Sequence, residues 1–463
     1  MNAQEFDLIV IGAGSAARDG AKKAATEYGA SVALVERTRW GGSCPNVACK
    51  PTKAYLVAAE LVHDINELSQ LLGIDVGPAR ANLAKVKARK DEIVGTQAAW
   101  VERMENAGYA TIAGEATFVD PHTIRVGDRL LTSERILVAS GSRTAVPPID
   151  GIDEIDWIDH ISALELTQLP ERLLVLGGGA VGLEFGQMFS RFGSKVTIVD
   201  ALDRISPKSD ADAALELTAA LEDEGIEVIT NTFVKSVRRE RDEIVALLAP
   251  RDGAPARELR VTNVLLAAGR VPNIEELDLA TAGVETTRLG IAVDERLRTS
   301  APGIWAAGDV TAVAQFTPIA QYQARIAIAD MFNGNGARAD YNELPTAIFT
   351  DPELAGIGLS EQEAVEQGHE VDVVQHPLRV VQRASYTNTK RGLYKIVFDG
   401  RTRKVLGIHV VARGASDIVQ GYAVALRLGL AVDDMINAHH AFPTFGEGLK
   451  AAAEQAKVQL AAR

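Results

Sequence analysis

The chain of 463 residues holds two cysteines, Cys44 and Cys49, and no run of about 18 apolar residues, the length a membrane span needs. So few thiols exclude a secreted framework stapled by several disulfides. A structural zinc site normally uses four ligands, and no Cys/His cluster flanks this pair, so no metal-ligating set is assigned. Basic charge is short as well. Lys+Arg number 48 against Asp+Glu 62, a net charge of −14, which argues against a nucleic-acid partner reached through a basic surface. The stretch Met1 to Phe6 carries no basic region, and the apolar run Leu8-Ile9-Val10-Ile11 stops at Gly12. A secretory signal is therefore not expected, and a cytoplasmic location is. Low-complexity tracts are missing too. What remains, 47% hydrophobic and 24% charged residues, is the balance of a globular protein, and the length suggests about three domains.

Cys44 and Cys49 stand with four residues between them. Two thiols this close in an otherwise thiol-free chain point to reversible redox chemistry; on spacing alone, a pair of buried apolar cysteines stays open as the alternative. A second feature is a loose internal repeat. Residues 7–11 read as a buried strand, after which Gly12-Ala13-Gly14-Ser15-Ala16-Ala17 opens a helix. Residues 173–176 read the same way before Gly177-Gly178-Gly179-Ala180-Val181-Gly182. Each such turn lets the backbone approach a pyrophosphate at a helix N-terminus, where free N–H groups favour negative charge. Ala17, in place of the third glycine, is a permitted variant. Each copy is followed by a second strand ending in an acid suited to an adenosine ribose, Glu36 after Val32–Val35 and Asp200 after Val196–Val199. Each also has a later echo, an apolar strand ending in small residues: Ile136 to Gly141, including Ser140, and Val264 to Gly269. The pattern predicts an α/β fold with two Rossmann-like dinucleotide-binding domains, one inserted in the other, and a C-terminal α+β domain. The expected boundaries are 1–149 and 272–340 for the first domain, 150–271 for the second and 341–463 for the last, with a junction near Asn333-Gly334-Asn335-Gly336.

The string Gly41-Gly42-Ser43-Cys44-Pro45-Asn46-Val47-Ala48-Cys49-Lys50-Pro51-Thr52-Lys53 resembles the redox-disulfide segment of the flavoprotein disulfide reductases. That family includes dihydrolipoamide dehydrogenase, glutathione reductase and mercuric reductase. Trp305-Ala306-Ala307-Gly308-Asp309 is similar to its later flavin-binding motif, and Pro345 to Glu353 to the opening of its dimerisation domain. The resemblance implies FAD in the first domain, held by Gly12, Gly14, Ala17, Glu36, Gly42, Ser140, Gly141 and Asp309, the last on the ribityl chain. It implies a nicotinamide dinucleotide in the second, held by Gly177, Gly179, Gly182, Asp200 and Gly269. Electrons would pass from NAD(P)H to flavin, to a Cys44–Cys49 disulfide, and on to a small-molecule or metal-ion acceptor. Cys49 would be the thiolate against the flavin, favoured by a helix that starts near Pro51, and Cys44 the outer thiol. Lys53 and Glu184 match a pair that the family places near the flavin N5. Asp200 favours NADH, because a carboxylate repels the 2′-phosphate of NADPH; Arg204 softens that preference, and NADPH stays possible.

One segment departs from the family. Its disulfide reductases end in His-x-His-Pro-Thr followed by a glutamate, the second histidine being the acid/base for the thiols. Here the chain reads His439-His440-Ala441-Phe442-Pro443-Thr444-Phe445-Gly446-Glu447. Phe442 takes the position of the base, His440 that of the first histidine and Glu447 that of the glutamate. Thiol–disulfide exchange without a positioned proton handler is disfavoured by about 10²–10⁴-fold. Mercuric reductase is closer here, carrying an aromatic residue at that position, but its usual C-terminal cysteine pair has no counterpart after Cys49. The expectation is an enzyme that passes electrons to a non-thiol acceptor, a metal ion, a quinone or similar. The rival is a dihydrolipoamide dehydrogenase with an unusual donor, in which His440 moves the proton; a further alternative is a non-catalytic flavoprotein subunit. By resemblance the protein is a homodimer in which Glu447 serves the other subunit's Cys44.

Overall fold

Apolar runs without polar alternation suit strands covered on both faces, and Leu8–Ile11 and Arg172–Leu176 each lie at the middle of such a sheet. The computed structural model describes residues 3–334 and 337–461. The chain forms two compact units. The first takes the stretch up to Ala54, Ala88 to Ala145 and Gly269 to Asp340; the second takes Tyr55 to Lys87, Val146 to Ala268 and the chain from Tyr341 onward.

In the first unit a five-stranded parallel sheet runs in the order Ile304–Ala306, Ile136–Val138, Leu8–Ile11, Val32–Glu36, Ala110–Ala113. Alternate side chains serve opposite faces. Ile9, Ile11, Val35 and Val138 join Phe118, Ile124 and Leu131 of a second sheet. Leu8, Val10, Leu34 and Leu137 pack instead on Ala17, Ala21 and Ala24 of the helix Ser15–Tyr28 and on Ala324 and Ile328 of the helix Thr317–Asn333. The latter helix is closed by left-handed Gly334 (φ +65°); Asn335 and Gly336 of the expected junction lie outside the described residues.

The second unit repeats the plan. Its parallel strands run Glu227–Ile229, Lys195–Val199, Arg172–Leu176, Asn263–Leu266. Leu173 and Val175 meet Leu183, Phe185 and Phe189 of the helix Ala180–Phe192, while Leu174 and Leu176 meet Val237, Ile244 and Leu248 of a three-stranded antiparallel sheet. The unit also contains a five-stranded antiparallel sheet, ordered Thr346–Ile348, Glu353–Gly358, Val405–Ala412, Leu393–Asp399, Val371–Pro377. The helix Glu447–Ala461 buries Leu449, Ala452 and Ala456 in the same core as residues of that sheet. Among the described residues no helix is long and apolar enough to cross a membrane.

Candidate active site and cofactor sites

The two glycine turns share one geometry. Gly12 has φ +110° and Gly177 +109°, conformations that L side chains rarely adopt. A Cβ at Gly12 would stand 2.3 Å from the carbonyl oxygen of Ala139, and one at Gly177 2.4 Å from that of Ala267. The echo strands therefore close against the turns. The third position differs for a steric reason: a Cβ at Gly182 would meet the oxygen of Gly177 at 1.9 Å, whereas Ala17 is accommodated and fully buried. Gly14 and Gly179 cap the N-termini of their helices. A Cβ on Gly179 would point into open space, so internal packing does not require that glycine. Its bare backbone leaves the helix N-terminus open to a phosphate.

The acids repeat as well. Glu36 Oε2 accepts from the Ala13 N–H at 2.9 Å, and Asp200 Oδ2 from the Gly178 N–H at 2.6 Å. Their second oxygens accept from the following loops, Glu36 from the Thr38 and Arg39 N–H groups and Asp200 from that of Leu202. A carboxylate has about four acceptor positions, so each retains capacity for a ribose hydroxyl. Asp309 accepts from Ser142 Oγ at 2.6 Å and lies 3.6 Å from Arg270 Nε. Ser140 donates to the Asn273 carbonyl, and Gly141 (φ +72°) accepts from the Asn273 N–H. Gly269 falls in the first unit, where it accepts from the Ala145 N–H. These residues fit an extended dinucleotide on each parallel sheet.

The redox loop packs onto the first turn. Gly42 (φ +77°) approaches Gly14 so closely that a Cβ would stand 2.4 Å from the Gly14 Cα. A four-residue helix, Ser43–Asn46, follows. Buried Asn46 ties the loop by donating to the Trp40 and Gly42 carbonyls and accepting from Gln97. Cys49 is the first residue of the helix Cys49–Glu67, with Pro51 in its first turn. Both cysteines are free thiols, Cys44 half-buried and Cys49 exposed. They hydrogen-bond to each other, and Cys49 Sγ lies 3.7 Å from Thr317 Oγ1. The Cys44 thiol is lowered to about 6, chiefly because it accepts from Cys49, with Thr317, Arg18 and Lys53 adding to the effect against burial. The same hydrogen bond pushes Cys49 up. Within the pair Cys44 is thus lowered and Cys49 raised, whereas the resemblance assigns the thiolate to Cys49. Thr317 and Asn46 are site residues that the sequence reading did not single out; a threonine beginning a helix after the Asp309 motif is the only signal for the first.

Lys53 is half-buried in the first unit. Glu184 is buried in the second, on Ala180–Phe192, and accepts from the Phe349 N–H at 3.0 Å. Near the C-terminus, Phe442 is 74% exposed. His440 is half-buried, its Nε2 lying 3.3 Å from the Met435 carbonyl oxygen, and Glu447 begins the last helix. Among the described residues no group of three or more His, Cys, Asp or Glu is arranged to hold a metal ion.

Residues 6–324 match the family model for pyridine nucleotide-disulphide oxidoreductase, and residues 344–453 the model for that family's dimerisation domain. A mercuric reductase of Staphylococcus aureus is 35% identical over 452 residues, covering 97% of this chain and 82% of that protein. A dihydrolipoyl dehydrogenase of Thermus scotoductus is 36% identical over 454 residues, covering 97% of each. Among solved structures, the Cu(II) complex of the HOCl-induced flavoprotein disulfide reductase RclA from Escherichia coli superposes with a TM-score of 0.86 at 30% identity, over 98% of this chain and 100% of that one.

Proposed function

Because the chain belongs to the pyridine nucleotide-disulphide oxidoreductases, an FAD-dependent family of oxidoreductases with NAD(P)H as electron donor, we propose that it passes electrons through Cys44 and Cys49 to a non-thiol acceptor, such as a soft metal ion or a quinone. Bound FAD supplies two-electron transfer between the nicotinamide and the cysteine pair. Gly12, Gly14, Glu36, Gly42, Ser140, Gly141 and Asp309 would hold it, on residues 1–149 and 272–340. Gly177, Gly179, Gly182 and Asp200, on residues 150–271, would hold the dinucleotide donor. Asp200 supports NADH, since its carboxylate stays beside the glycine turn while Arg204 Nη2 is turned to the Pro207 carbonyl.

The observation that carries the acceptor class is Phe442 before Pro443. Oxidising the dithiol forms one S–S bond and releases two electrons and two protons. An acceptor that exchanges protons with water, or takes none, needs no positioned acid. A disulfide acceptor does: Cys44 attacks one sulfur, and the departing thiolate must be protonated. Phenylalanine holds no proton, and His440 faces a main-chain carbonyl of its own segment. The dithiol also suits a soft metal ion as substrate, and the relatives include a mercuric reductase and a copper-complexed reductase. The identity to a dihydrolipoyl dehydrogenase keeps the rival reading, with His440 as donor, in play. Glu447 would act on the other subunit's Cys44 in a homodimer formed through residues 341–463.

The test is turnover of mercuric ion and of a small quinone by Cys44→Ser and Cys49→Ser proteins that retain FAD. Loss of both activities by about 10²-fold or more is expected. Undiminished turnover in either variant would remove the cysteines from the path.

A further inference from the structure

Beside Cys44 the first unit carries a cluster of positive charge. Arg18, one turn into the helix Ser15–Tyr28, places its Cζ 4.8 Å from the centroid of the Trp100 ring. Arg103, on the same helix as Trp100, Gln97–Asn106, places its Cζ 4.7 Å from that ring. The ring itself is seated on the redox loop: Gly41 has φ +92°, and a Cβ there would stand 2.7 Å from the indole. Two guanidinium groups over one indole gain from its negative face but repel each other, which favours a negative charge nearby. Asp19 is engaged by Arg325. The Nε of Arg18 is buried and without a hydrogen-bond partner among the described residues, Nη2 reaching only Ser15 Oγ at 3.5 Å. Arg18 and Lys53 are among the charged groups acting on Cys44, and Cys44, Arg103 and Asp19 among those acting on Arg18.

We propose that Arg18, held on Trp100 with Arg103, makes the approach to Cys44 selective for negatively charged acceptors. A soft metal ion carried as an anionic complex meets this requirement, and so does an acidic quinone; a bare cation is repelled until it reaches the sulfur. The inference rests on the reading that Cys44 is the thiol that meets the acceptor.

Two alkylating agents that differ in charge test it on the FAD-loaded, NADH-reduced protein, with the modified residue located by peptide mass. Iodoacetate and iodoacetamide both form a C–S bond to the Cys44 thiolate and expel iodide. Both consume the same thiolate, so the ratio of their rates at one pH reads only the charge of the reagent. In Arg18→Met the iodoacetate-to-iodoacetamide ratio is expected to fall roughly fivefold to tenfold with FAD content unchanged. Arg18→Lys should keep most of it, and salt near 1 M should erase the difference. An unchanged ratio in Arg18→Met overturns the proposal. So does a fall as deep in Arg18→Lys as in Arg18→Met, which would make shape the cause, or loss of FAD, which would assign Arg18 to the cofactor. No electron acceptor takes part, so failure here is distinct from failure of the non-thiol acceptor reading.

Discussion

On the proposed reading, Phe442 and Cys44 set what the site does. Phe442 is 74% exposed in the single chain, so a change there disturbs little packing within it. Phe442→His is expected to raise lipoamide turnover at least tenfold, within the range for a positioned base, and to leave quinone turnover within about twofold. Steady-state NADH oxidation checks both. In the unmodified protein His440→Ala should change neither rate by more than about twofold; a collapse of lipoamide turnover would make His440 the donor. The lowering of Cys44 to about 6 gives a signed pH dependence. In the dithiol protein, alkylation by iodoacetamide should rise as pH increases through about 6 and level off above it, because the thiolate is the nucleophile; a midpoint near 8.5, the value of a free thiol, would contradict the assignment. At this scale the sequence was legible in the contiguous string Gly41 to Lys53, whose two cysteines hydrogen-bond to each other. Asn46 was visible in that string, but its role was not. Its partners include Gln97, and Cys49's neighbour is Thr317. Such pairings across long stretches of chain have no local signature.

The strand–turn–helix elements were readable because each rule is local. Expected strands over 7–11 and 173–176 stand as Leu8–Ile11 and Arg172–Leu176, and helices open after both turns. The pattern did not show that these glycines answer to different demands. Gly42 and Gly29 both have positive φ, +77° and +66°, but Gly29 is left-handed helical at ψ +21° whereas Gly42 stands at ψ −168°, a region essentially confined to glycine. A Cβ on Gly29 meets nothing within 4 Å, whereas one on Gly42 meets the Gly14 Cα at 2.4 Å. Gly29→Ala should therefore cost about 1 kcal/mol, the conformational term alone. Gly42→Ala must also part the redox loop from the nucleotide turn, and should lose FAD along with stability. Thermal unfolding and the flavin-to-protein absorbance ratio of the two variants separate the cases; equal effects would mean that the contact between the two glycines is unimportant.

Across the whole molecule, uninterrupted apolar strands running into glycine turns made the doubled plan of parallel sheets visible, while the buried charges escaped notice because lysine and aspartate normally read as surface. Within the second unit Lys395, 1% exposed, donates to Asp212 at 2.5 Å and Glu361 at 2.7 Å and pairs with buried Asp210 at 3.0 Å. Asp210 in turn caps the helix Ala211–Asp223. The antiparallel sheet is thereby fastened to the nucleotide-binding sheet's helix. Lys395→Met leaves the Asp210 carboxylate buried with its cation removed, and should cost roughly 3–5 kcal/mol of unfolding free energy, read by denaturant titration. The dimerisation domain at residues 344–453 leads to the expectation of twice the chain mass in sedimentation, and an active monomer would contradict it. The central proposal is that this flavoenzyme's dithiol serves acceptors that need no proton handler. NADH oxidation by the FAD-loaded protein, with lipoamide and a small quinone side by side, tests it most directly. The account predicts that the quinone turns over and that lipoamide is slower by about two decades or more; faster turnover with lipoamide would contradict it.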